Sequence, residues 1–129
     1  MAFESPSFDL TDEQLDDGTR LIAVRGEIHV STASAFSTRL TEAIKDDPPA
    51  VVLDLSEVMF IDSTGLSVLL NGLRQVTRNE GRLALVVTNP TVLRLFEITR
   101  LDTTFDIQGT RAEALDRVRA ATAPPALEG

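Results

Sequence analysis

The stretch VVLDLSEVMFIDSTGLSVLLNGLRQV, Val51 to Val76, decides how the rest of the chain is read. It opens on Val51, Val52 and Leu53, is interrupted by Asp54 and closes its first run at Leu55. β-Branched and aliphatic residues in so short a run predict a strand over Val51–Leu55 that is buried on both faces. A second apolar patch, Val58-Met59-Phe60-Ile61, leads into Asp62-Ser63-Thr64-Gly65. Beyond it the period changes. Leu66, Leu69, Leu70, Leu73 and Val76 recur at the spacing of one helix face. Asp62–Gly65 therefore lies where a strand-side segment turns into a helix.

A helix start exposes unpaired N–H groups and the positive end of the helix dipole, which favours an anion. Ser63 brings a hydroxyl to that place, and Asp62, Ser63 and Thr64 are each suitable N-caps. Gly65 removes a Cβ where another molecule would approach. An ordinary capped turn uses the same residues, so local chemistry leaves both readings open.

Working outward, Ser7–Gln14 reads as a strand with Phe8 and Leu10 alternating against polar neighbours. Asp17-Gly18 signals a hairpin to a second strand, Arg20–Arg25. Gly26–His29 reads as the loop after it. Thr32–Lys45 predicts a helix with Phe36, Leu40, Ala43 and Ile44 on one face, Ser31 or Thr32 as cap, and Pro48-Pro49 as its stop. After the helix of Leu66–Val76, Gly81 is available for a left-handed cap, and Arg82–Thr88 predicts a buried strand. Asn89 and Pro90 open a further helix as N-cap and first residue, with Val92, Leu93 and Phe96 facing inward. A short strand is expected near Thr104–Ile107. Thr110–Glu113 fits a capping box for a last helix carrying Ala114, Leu115 and Val118, stopped by Ala123-Pro124-Pro125. Strands alternating with helices imply an α/β domain. Its sheet has four to five strands, mostly parallel, with an N-terminal antiparallel edge hairpin and about four helices. The 129 residues make one domain with a core over about 7–120; residues 1–6 and 122–129 are expected to be flexible tails.

Composition narrows the function. Net charge is −8, with Lys45 the only lysine, which argues against nucleic-acid binding. No apolar run approaches the roughly 18 residues needed to cross a bilayer, and the N-terminus lacks a secretory signal. The chain is expected in the cytoplasm. With no Cys there is no disulfide, thiolate chemistry or zinc-cysteine site. The phosphate-loop, Gly-x-Gly-x-x-Gly and Gly-x-Ser-x-Gly patterns are absent. Asp54, Glu57 and Asp62 are close in sequence, but no periodicity forces them onto one cation, so no metal and no cofactor is expected. Ser63 has no sequence neighbour to activate it, and the one candidate base is His29. No catalysis is expected.

The string Asp54-Leu55-Ser56 through Phe60-Ile61-Asp62-Ser63-Thr64-Gly65-Leu66 resembles the core signature of STAS domains, and more narrowly of bacterial anti-anti-sigma factors, the anti-sigma factor antagonists. The resemblance continues in Arg25-Gly26-Glu27-Ile28, and in Thr88-Asn89-Pro90 through Phe96-Glu97-Ile98-Thr99, so it covers most of residues 20–118. It implies the STAS fold. It implies that Ser63 is phosphorylated by an ATP-bound partner that is both anti-sigma factor and serine kinase, and that a serine phosphatase resets it. The unphosphorylated form would bind that partner and release the sigma factor. Glu27, His29, Asp62, Thr64, Gly65 and Leu66 would shape the docking surface, with Thr64 a secondary acceptor. Where the family usually has an Asp three residues after the matching glycine, this chain has His29. A monomer or weak homodimer is expected. The alternative is a stand-alone STAS scaffold or small-ligand sensor without phosphorylation.

Overall fold

Val51, Val52, Leu53 and Leu55 are fully buried at the centre of a five-stranded sheet. The computed structural model describes residues 8–122. Its strands are β1 (Phe8–Gln14), β2 (Arg20–Ile28), β3 (Ala50–Ile61), β4 (Arg82–Val86) and β5 (Asp106–Gln108), side by side in that order. β1 and β2 form the expected antiparallel hairpin, and every other pair is parallel. The helices are α1 (Ala33–Ala43), α2 (Ser63–Arg78), α3 (Pro90–Ile98) and α4 (Arg111–Thr122).

Alternation along β3 splits the core in two. Val51, Leu53 and Leu55 pack with Phe36 and Leu40 of α1, Leu66, Leu69 and Val76 of α2, and Val92 and Phe96 of α3. Ala50 and Val52 point to the other face, where Ala114 and Val118 of α4 cover them. Burying each large side chain of this kind contributes about 1.5–3 kcal/mol, against the entropy of ordering it.

Several boundaries differ from the sequence reading. β3 does not stop at Leu55 but continues through Ile61. It can do so because β2 also continues, through Gly26, Glu27 and Ile28, which were read as a loop. Register shifts at Ala23/Arg25 and Gly26/Glu27 absorb the irregularity, and Gly26 has φ +98°, open to glycine at little penalty. β4 is shorter than expected and ends at Val86; β5 sits two residues later than Thr104. The left-handed residue after α2 is Glu80 (φ +65°), not Gly81. Gly81 is needed for another reason: a Cβ there would lie 2.8 Å from the Pro48 carbonyl oxygen. α4 runs to Thr122, into the expected tail. Ser7, residues 1–6, and the helix stop at Ala123–Pro125 lie outside the described residues.

Candidate functional site

Parallel pairing of β2 and β3 sets Ile28 beside Ile61, and the Asp62 amide donates to the Ile28 carbonyl at 3.1 Å. The segment after β2 and the turn after β3 therefore share one edge, the side where α/β sheets build sites. His29 and Asp62–Thr64 both follow directly from that pairing, at the same edge.

The turn is built by Asp62. Its Oδ1 accepts from the Thr64 amide at 2.9 Å, the Gly65 amide at 3.2 Å and the Thr64 hydroxyl at 2.8 Å. Of the three candidate caps, Asp62 is the one used, and its carboxylate is the anion at the start of α2. Partial burial pushes its acidity the wrong way, but the bonds from Thr64 and Gly65, with the charge of His29, leave its carboxyl below the ordinary range. Ser63, the first residue of α2, is exposed, and among the described residues nothing bonds its hydroxyl. The Thr64 hydroxyl is already given to Asp62.

Gly65 and Leu66 lie inside. A Cβ on Gly65 would stand 2.7 Å from both Ile28 Cγ2 and Ile61 Cγ1. The missing Cβ makes room for the chain's own isoleucines, not for a visitor. These two residues shape the surface from below and do not form it.

Thr32 was expected to cap α1, but its side chain makes no cap bond. Its buried hydroxyl donates to the Glu27 carbonyl at 2.8 Å and accepts from the His29 amide at 3.0 Å, which fixes the exit of β2. His29 Nδ1 accepts from the Ser31 amide at 3.1 Å, while Nε2 faces Glu27 Oε1 at 3.4 Å. Its ring lies 6.3 Å from that of Phe60. No hydrogen bond joins His29 to Ser63.

Sequence reasoning missed the apolar part of this edge. Val30 is 75% exposed, Met59 68%, Phe60 46% and Ile98 67%. Phe60 and Ile98 line a groove of about 270 Å³ between β3 and α3, with Arg94 on its wall. Val58 and Ile61 are buried; Met59 and Phe60 are not. Exposed apolar side chains that share a groove, as Phe60 and Ile98 do, suit a surface that meets another molecule.

The three carboxylates near this turn do not converge. Asp54 is buried and pairs with Arg111; Glu57 faces Arg25; Asp62 caps α2. Among the described residues no cluster of His or acidic side chains is placed to hold a metal, and no helix is long and apolar enough to cross a membrane.

The model of the STAS domain matches residues 12–114. The chain belongs to the STAS domain family. Within it, the similarity runs to anti-sigma factor antagonists. The anti-sigma-F factor antagonist RsfB of Mycobacterium tuberculosis is 31% identical over 103 residues, covering 80% of this chain and 84% of RsfB. The crystal structure of an anti-sigma factor antagonist from Mycobacterium paratuberculosis superposes with a TM-score of 0.82 at 34% identity, covering 91% of this chain and 99% of that one. SpoIIAA of Bacillus, an anti-sigma factor antagonist seen in its unphosphorylated form, gives 0.72 at 25% identity over 87% and 97% of the two chains. The observed sheet, with its antiparallel hairpin, parallel remainder and four helices, is the STAS fold.

Proposed function

We propose that this STAS domain is an anti-sigma factor antagonist switched at Ser63. Its unphosphorylated form binds an ATP-bound anti-sigma factor with serine kinase activity, in the cytoplasm, and so releases a sigma factor. The partner phosphorylates Ser63, binding ends, and a serine phosphatase restores the first state. The protein itself carries no catalysis and touches neither nucleic acid nor membrane.

The observation that carries this reading is the setting of Ser63. It is an exposed, unbonded hydroxyl on the first turn of a helix, held by an Asp62 cap, three residues after Phe60, which lines an apolar groove with Ile98. A kinase can reach such a hydroxyl without unfolding anything. A phosphate there adds about −1.5 to −2 charges to the exposed start of α2. An interface that excludes water tolerates an unpaired charge badly, so the same contact becomes repulsive. The homologues named as anti-sigma factor antagonists support the partner class.

The test is capture from native lysate with wild type and Ser63→Glu as baits, alongside the mass of the endogenous Ser63 peptide. Retention of a serine-kinase ATPase by wild type alone, with some Ser63 peptide carrying one phosphate, is the expected result. Identical partners on both baits, with Ser63 always bare, would overturn the switch and leave a scaffold or ligand-binding role.

A further inference from the structure

Beside the start of α4 the sheet holds a cleft of about 200 Å³, walled by Thr11 of β1, Ala23 and Arg25 of β2, Asp54 and Glu57 of β3, and Arg111 of α4. Asp9, Arg25, Ser56 and Glu57 line both this cleft and a wider one of about 580 Å³, whose other walls include Phe8, Val58 and Met59. The first is charged and the second carries apolar side chains, and they share a wall.

The charges of the first cleft are arranged in two ways. Asp54, 6% exposed, is already committed: it accepts from the Ser56 amide at 2.9 Å and from Arg111 Nε. That pair anchors Arg111 by one nitrogen and leaves its two Nη groups without a partner among the described residues. Arg25 is held loosely. It stands 3.6 Å from Asp9 and 3.9 Å from Glu57, both longer than a hydrogen bond. Exposed pairs of this kind contribute little, so a ligand that replaces them loses little.

We propose that this cleft binds a free apolar α-amino acid, with its carboxylate on Arg111 and Arg25, its ammonium between Asp9 and Glu57, and its side chain toward Val58 and Met59. The balance of signs selects the class. A lone anion would meet Asp9 and Glu57, and a lone cation would meet two guanidinium groups. A zwitterion gives each sign its opposite, and the fork of a guanidinium matches a carboxylate. Arg111 is positioned by the buried Asp54 before any ligand arrives, so part of the ordering is done in advance. The proposal does not depend on Ser63 or on its phosphorylation.

The test is a titration of the whole ¹⁵N-labelled chain near neutral pH, at constant ionic strength, with L-leucine, L-methionine and L-phenylalanine in turn. At least one is expected to give saturable shifts at the Thr11, Ala23 and Ser56 amides, with a Kd of about 1 mM or below. 4-Methylpentanoate and 3-methylbutylamine each keep one of leucine's charges. Each should bind about tenfold or more weakly than the preferred amino acid. Arg25→Gln and Glu57→Gln should each weaken that amino acid about tenfold, and since both side chains are exposed, unchanged urea midpoints would show that folding is kept. No saturable shift from any of the three amino acids would overturn the proposal. So would single-charge analogues that bind equally well, or variants that bind as wild type does. Neither kinase nor partner enters this measurement, so its outcome is independent of the capture experiment.

Discussion

Replacing Gly65 by Ala separates two accounts of the central turn. If the missing Cβ leaves room for a partner, adding it costs the free protein nothing. Ala is even favoured over Gly in a helix by about 1 kcal/mol, so the variant would be more stable. The structure gives the opposite sign. The new Cβ would sit 2.7 Å from Ile28 Cγ2, 2.7 Å from Ile61 Cγ1 and 3.1 Å from Ile61 Cδ1. Ordinary carbon contacts are about 3.5–4.0 Å, so both isoleucines must retreat by nearly an ångström. Ile28 is 0% exposed and Ile61 4%, and neither has solvent to retreat into. Overpacking of this kind costs about 1–3 kcal/mol, from which the helix gain of about 1 is subtracted. Gly65→Ala should therefore lose up to about 2 kcal/mol in urea unfolding, at roughly 3–6 °C of Tm per kcal/mol for a domain of this size. Introduced into an Ile28→Ala chain, where the cavity accepts the methyl, the same change should cost less or stabilise. A Gly65→Ala protein more stable than wild type by about the 1 kcal/mol of the helix gain would refute the reasoning, because it would mean that the two isoleucines do not close on this position.

Three further outcomes follow from named contacts. Asp62→Ala should lose about 1 kcal/mol of stability with the cap, and Asp62→Asn much less. Because the folded-state acidity of Asp62 is shifted below its unfolded value of about 3.9, its ionic contribution is present above that pH and lost as pH falls through the folded value. Urea midpoints of wild type and Asp62→Ala should accordingly converge in acid. Arg111→Ala leaves the buried Asp54 carboxylate with only Ser56 as partner and should destabilise by about 2 kcal/mol at neutral pH. Burial works to raise the Asp54 carboxyl, yet its bonds from Ser56 and Arg111 hold it low, so this gap also closes as pH falls below about 4. Ile98→Ala, on an exposed side chain, should change stability by less than about 0.5 kcal/mol. It should weaken binding of the captured anti-sigma factor about tenfold or more in a titration with purified proteins.

The architecture was legible because β3 and α2 announce themselves by period. A buried aliphatic run changes to a helical stripe within four residues, and every other element could be placed around that change. Asn89 with Pro90, and Thr110 ahead of Glu113, declared two further helix starts by cap chemistry alone, and both are used: the Thr91 amide donates to Asn89 and the Glu113 amide to Thr110. Strand ends were not legible, since they depend on the neighbour. β2 outlasts its apolar run because β3 continues to pair with it across two register shifts. The role of Gly65 was misread for a similar reason: what a glycine avoids is a tertiary fact, here two isoleucines from different strands. The groove beside Ile98 needs α3 laid against β3, which no local pattern states.

The cap also settles where the force of a phosphate would be felt. A bare helix start offers several N–H groups to an anion, and a phosphate seated on them would be absorbed by its own protein. In this turn most of those donors are spoken for. The Thr64 and Gly65 amides give to the Asp62 carboxylate, and the Leu66 amide gives to the Asp62 carbonyl. A phosphate on Ser63 would find the helix dipole, worth roughly 0.3–1 kcal/mol, and an adjacent carboxylate that works against it. With little to gain by turning inward, it stays at the surface, where bare Ser63 stands now. The fold is then nearly indifferent to the modification and the interface is not. That division suits a switch that must be thrown repeatedly without unfolding the domain that carries it.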